Sequence, residues 1–185
     1  PAVFCRFAGC NGWSGFERDR DKGPYPCSRW CDTVFTGGRK VHEDNLVDEI
    51  LSLYPTRGYR MLVFTGGEPG LQLTNSLIKK LLPAIPQICI ETNGSTLLPE
   101  LAITNCWLTV SPKTEKVLQD KASELKLIFP TIAPEKFDYI KAVWRYLQPL
   151  WNGNLEKNIA GAVEYCKANP HWRLSMQTHK YANIP

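Results

Sequence analysis

The sequence lacks three features that would direct its reading elsewhere. No stretch reaches the roughly 18 consecutive apolar residues that a membrane-spanning helix needs, and no basic-then-apolar leader opens the chain. Membrane insertion and secretion therefore lack support, and a cytoplasmic protein is expected. Charge of neither sign dominates, because 22 Lys and Arg stand against 18 Asp and Glu, a net charge of +4. The densest charge run, "ERDRDK", mixes signs and reads as a solvated loop, so no direct nucleic-acid contact is expected. Internal repeats, low-complexity tracts and linkers are also missing, which leaves 185 residues with 43% apolar content as one domain with a sizeable core.

Cysteine is abundant by comparison. Seven is an odd number, and in a reducing compartment such thiols serve as metal ligands, catalytic groups or core residues rather than as a disulfide framework. Cys5, Cys89 and Cys106 fall in apolar strand-like segments and Cys166 in a helical one, where core packing is the favoured reading. Cys10, Cys27 and Cys31 share a glycine-containing charged loop, with sixteen residues between the first two and three between the last two. Three thiolates leave one position of a metal site open, whereas structural zinc takes four ligands. Cys5 is the one further thiol near enough in sequence to close the set, so a zinc-stapled RNA-binding module stays open as an alternative.

Periodicity supplies the fold class. Apolar segments at "AVFCRF", "MLVF", "QICIET", "CWLTVSP", "ELKLIFP", "WRYLQPL" and "WRLSMQT" read as strands. Leu46, Val47, Ile50, Leu51 and Tyr54 fall at helical spacing, as do Leu73, Leu77, Ile78, Leu81 and Leu82, and "NLEKNIAGAVEYCKANP" is a third helix. Strands alternating with helices imply a mostly parallel sheet, doubly wound or curled as a barrel. Nearly every strand ends in a polar, Gly or Pro cluster: "TGGEP", "ETNGS", "SPK", "LQP", "QTHK". Such clusters build the active site at the carboxyl rim of α/β barrels. Seven strands with fewer helices fit an incomplete TIM-like (β/α) barrel of six to seven mostly parallel strands.

The loop of Cys10, Cys27 and Cys31, taken with "TGGEP", resembles the radical S-adenosylmethionine superfamily. Eight segments in order, "RFAGCNGWSG", "CDT", "TGGEP", "ETNG", "SPK", "ELK", "QP" and "WRLSMQTHKYANIP", look like its 7-carboxy-7-deazaguanine synthase family across the whole chain, in the bacterial type with an enlarged cysteine loop, here at 10–38. The resemblance implies a partial-barrel domain over 1–185, with a family strand and substrate loop preceding Pro1. It implies that Cys10, Cys27 and Cys31 ligate a 4Fe-4S cluster and that Thr33 binds Mg²⁺. Trp30, Asp32, Gly66, Gly67, Glu68, Ser111, Pro112, Lys113, Gln148, Pro149, Leu150 and Trp151 would lie against S-adenosyl-L-methionine, the glycine turn and Glu68 receiving its amino group. Arg6, Thr65, His179 and the terminal carboxylate of Pro185 would face the substrate, a carboxypterin. The implied reaction is ring contraction with loss of ammonia, its radical carried by the cofactor rather than by a side chain. A flavodoxin-type reductant and a homodimer are implied as well. A radical enzyme of the same superfamily acting on another substrate is the nearer rival.

Overall fold

The computed structural model describes residues 2–55 and 57–184. Seven strands form one sheet: β1 (Val3–Phe7), β2 (Met61–Gly66), β3 (Gln87–Thr92), β4 (Trp107–Val110), β5 (Lys121–Phe129), β6 (Lys141–Pro149) and β7 (Trp172–Leu174). Their spatial order is their chain order and every pairing is parallel. A doubly wound sheet reverses order at a switch point, and this one never does, so the barrel alternative stands. Among the described residues β1 and β7 each pair with one neighbour, and the barrel is not closed.

Parallel pairing requires a crossover between strands, and helices supply several of them. They are α1 (Glu43–Ser52), α2 (Asn75–Leu81), α3 (Glu100–Asn105) and α4 (Leu155–Ala168), while α5 (Thr178–Tyr181) follows the last strand. Helix α2 starts later than its apolar stripe suggests. A 3-10 turn occupies Pro69–Leu71, and Thr74 then caps the helix by accepting from the Leu77 amide at 3.1 Å. Strands β5 and β6 begin earlier than their apolar patterns do, because Lys121 pairs with Lys141 and Ala122 with Ala142. Pairing there overrides composition. The last strand is shorter than expected: the Ser175 amide donates to the Leu147 carbonyl, and the chain then leaves the sheet for α5.

The two-residue period of the strands sorts side chains between two environments. Leu62, Phe64, Ile88, Ile90, Leu108, Val110, Leu125 and Leu147 point toward the helices and join Ile50, Leu77, Ile78, Leu81 and Ala162 in one buried core. Each such side chain contributes on the order of 1.5–3 kcal/mol when fully buried. The alternate residues, Phe4, Arg6, Thr65, Glu91, Lys126 and Gln148, line a cavity instead. Residues from five strands spread from β1 to β6 can share one cavity only if the sheet curls.

Candidate active site

The cavity occupies about 750 Å³ on the concave side of the sheet and at its carboxyl rim. Strands β1 and β2 place Arg6 opposite Thr65, and β5 and β6 place Ile128 opposite Gln148. Tight backbone approach joins the first two rim loops. Gly67 donates to the Phe7 carbonyl at 3.0 Å and Glu68 to the Gly9 carbonyl at 2.9 Å. A Cβ on Gly67 would collide with the Gly9 carbonyl, and Gly66 has a φ of +127°, so both positions need glycine.

The cysteine loop is held by its own turn and by one arginine. Cys31 N–H donates to the Cys27 carbonyl at 2.8 Å. This is the i to i+4 bond of a single helical turn, so the three-residue gap puts both thiols on one side. Gly12 N–H donates to Cys10 Sγ at 3.3 Å, and a Cβ at Gly12 would lie 3.4 and 3.5 Å from the sulfurs of Cys10 and Cys27. All three cysteines line the cavity. Arg20 Nη1 donates to the carbonyls of Ser28 (2.6 Å) and Cys31 (3.1 Å) while its guanidinium lies 4.7 Å from the Trp13 ring centroid. The "ERDRDK" run, expected as a solvated loop, is a solvated 3-10 turn over Glu17–Lys22 with one inward-facing member that fastens the cysteine loop.

The donor set fits a cluster better than a single ion. Among the described residues no group of three or more His, Cys, Asp or Glu side chains converges tightly enough to hold one metal ion. Tetrahedral zinc, with Zn–S near 2.3 Å, requires sulfurs roughly 3.8 Å apart. An iron-sulfur cluster takes its thiolates on separate irons and so accepts wider spacing. Trp13, which also lines the cavity, buries an indole N–H without a partner among the described residues, a donor free for an acceptor such as a sulfide. The zinc-staple alternative loses its fourth ligand: Cys5 packs against the core, its alternate neighbours Phe4 and Arg6 facing the cavity, and burial pushes its pKa up to about 11. Burial likewise raises Cys10, and raises Cys27 to about 11 despite the nearby Lys113. Loading a metal therefore releases protons.

The other expected residues distribute around the same cavity. Trp30, Asp32 and Thr33, which flank Cys31, line it together with Gly66, Gly67, Ser111, Lys113, Gln148, Leu150, Trp151, Arg6, Thr65 and His179. Lys113 Nζ donates to Ser111 Oγ at 2.7 Å and sits 5.8 Å from the Trp30 ring centroid. Burial, then the Lys126 charge, hold Lys113 below the ordinary lysine range, against the pull of Cys27, Cys31 and Glu68. Pro112 and Pro149 do not line the cavity, and Pro185 lies outside the described residues.

Glu68 corrects an expectation. It is fully buried and does not line the cavity; Thr92 Oγ1, Asn93 N–H and Gly70 N–H all donate to its carboxylate at 2.5–2.8 Å. Its oxygens are occupied inside the protein, so its side chain braces the rim loops rather than receiving an amino group. Burial raises its pKa and those three donors moderate the rise.

Sequence reasoning missed Glu91 and Lys126. Lys126 Nζ donates to Glu91 Oε1 at 3.1 Å and Thr65 Oγ1 to Glu91 Oε2 at 3.0 Å, in the middle of the cavity wall. Burial pushes Glu91 up, but Lys126, Thr65 and Lys113 together bring it below the usual carboxylate range. The available signal was positional: each charge alternates with core residues on its strand, so it faces inward. Asn11 joins the separate Glu68 network, donating to Ser95 Oγ at 2.7 Å and accepting at 3.1 Å from Asn93, whose backbone N–H donates to Glu68.

No family model matches the chain. It is 45% identical over 195 residues to the 7-carboxy-7-deazaguanine synthase of Burkholderia multivorans, spanning 100% of this chain and 90% of that protein. The chain belongs to the 7-carboxy-7-deazaguanine synthase family. The synthases of Nitratidesulfovibrio vulgaris and Caulobacter vibrioides are each 42% identical with the same coverage. A crystal structure of QueE from Escherichia coli superposes with a TM-score of 0.61 over 96% of this chain and 85% of that one, at 24% identity, which supports the open parallel fold. No helix among the described residues is long and apolar enough to cross a membrane.

Proposed function

We propose that this chain converts 6-carboxy-5,6,7,8-tetrahydropterin to 7-carboxy-7-deazaguanine with loss of ammonia, as a radical S-adenosylmethionine lyase of queuosine biosynthesis. The carrying observation is that full-length similarity to synthases of this name coincides with one cavity lined by both Cys10, Cys27 and Cys31 and by Arg6, Thr65 and His179. When bound, the 4Fe-4S cluster and S-adenosylmethionine supply the electron and the carbon radical that begin the reaction.

The protein's own share is binding, orientation and electrostatics. Cys10, Cys27 and Cys31 would hold the cluster, and Trp30, Asp32, the Gly66–Gly67 turn, Ser111, Lys113 and the segment from Gln148 to Trp151 would hold the cofactor beside it. Arg6 offers a two-pronged donor to the substrate carboxylate. Glu91, kept ionised by Lys126, is an acceptor suited to the paired N–H groups of an aminopyrimidine ring. His179, which lines the same cavity, can donate or accept. Thr33 contributes a single hydroxyl toward Mg²⁺, so the rest of that ion's shell would come from substrate and water, in keeping with its reluctance to dehydrate. The sheet and core form one unit, which supports a single partial-barrel domain. A flavodoxin-type reductant and a homodimer belong to the same reading.

The test is turnover. Anaerobically reconstituted protein, given S-adenosylmethionine, Mg²⁺ and a reductant, should convert the carboxypterin to a product with the mass of 7-carboxy-7-deazaguanine and release ammonia. Cofactor cleavage without that product would assign a different substrate to the site.

A further inference from the structure

The C-terminal segment lines part of the cavity, and one side chain fastens it there. Helix α5 and its flanks bring Gln177, His179, Lys180 and Ile184 to the cavity wall. The segment's backbone bonds are local: Thr178 to Met176, Lys180 to Gln177, Ala182 to Thr178 and Ile184 to His179. Among the described residues one hydrogen bond ties it to the rest of the protein, from Lys180 Nζ to Asp32 Oδ2 at 2.5 Å, across 148 positions of sequence. The same ammonium lies 5.2 Å from the Trp151 ring centroid, and Tyr181 meets that ring edge-on at 5.1 Å.

The two anchors are informative because of where they sit. Asp32 directly follows the last cysteine of the cluster loop, and Trp151 ends the rim segment after β6. One cation thus joins two walls on the cofactor side to the segment that carries His179. We propose that Lys180 is a positioning residue: it latches the C-terminal segment over the cavity and so sets the place of His179 against the substrate. Trp151, bulky for a rim position, serves as the face on which the latch rests. The consequence for substrate rests on the function proposed above; the latch itself does not.

Hydrogen exchange of residues 177–184 in the reconstituted holoprotein tests the latch without turnover. Lys180→Met loses both the ion pair and the cation–π contact, and exchange there should quicken about fivefold to tenfold. Lys180→Arg, which keeps the charge and stacks on an aromatic face, should restore protection. With carboxypterin, Lys180→Met should raise KM about fivefold while kcat stays within about twofold, since the cluster and reacting groups are intact. Exchange and KM both within about twofold of the parent protein would overturn the latch. So would a loss of cluster iron in Lys180→Met, because Lys180 would then be holding the cysteine loop rather than the tail. If the parent protein does not turn over carboxypterin, the proposed function fails and the exchange comparison still decides the latch.

Discussion

Glu68 sits in the glycine turn most suggestive of cofactor binding, yet its carboxylate is enclosed by Thr92, Asn93 and Gly70. Removing it would strand buried N–H donors at the junction of two rim loops, and each unsatisfied group costs about 1–3 kcal/mol. Glu68→Ala should therefore destabilise the anaerobically reconstituted protein by roughly 2–4 kcal/mol in urea unfolding. A loss below about 0.5 kcal/mol, the range of an inconsequential surface change, would mean that the carboxylate is spare for a ligand. Residue type alone could not separate these roles, because an acidic side chain at a glycine turn suits either. The paired strands could: "ETNG" follows the strand beside "TGGEP", so its Thr92 and Asn93 meet Glu68 once the sheet is parallel.

The cysteine loop gains its order at the level of the element. Its two 3-10 turns, Glu17–Lys22 and Pro26–Arg29, make few contacts with the main core, and Arg20 bridges them through the carbonyls of Ser28 and Cys31. Trp13, beneath Arg20, packs edge-on against Phe35 at 5.8 Å. Arg20→Ala should leave strand and helix content unchanged in circular dichroism while reconstituted iron falls below about half, since the charge-assisted bonds that set the Cys27–Cys31 turn are gone. Iron content equal to that of the parent protein would show that the turn forms without the arginine. Mixed charge in "ERDRDK" reads correctly as solvent exposure for most of the run, but which arginine turns inward depends on carbonyls contributed eight and eleven residues later. That is tertiary information. Elements with strong periodicity, such as α4 and β3, were legible outright; α3 and α5, each of one or two turns, have too few positions to show a period.

At the scale of the whole molecule, the strand-end clusters meet because an all-parallel sheet in chain order places every carboxyl end on one rim. The alternation of faces then explains why the cavity is charged while the core is not: Arg6, Glu91 and Lys126 occupy the inward positions of β1, β3 and β5, and their strand neighbours Phe7, Ile90, Leu125 and Leu127 pack outward. Inward charge was hidden in the sequence because each strand reads as mainly apolar, and the curl that turns one face into a cavity comes from the assembled sheet. The molecule thus joins a loop of three cysteines to a mixed-charge pocket, and the proposed function requires that loop to hold a cluster with one open iron.

The most direct measurement is iron content and electron paramagnetic resonance of the anaerobically reconstituted, reduced protein with and without S-adenosylmethionine. About four irons per chain and a signal that changes on adding the cofactor are predicted, with the signal lost in Cys27→Ala. A single tightly held zinc, or a cluster signal indifferent to the cofactor, would contradict an open site made by Cys10, Cys27 and Cys31.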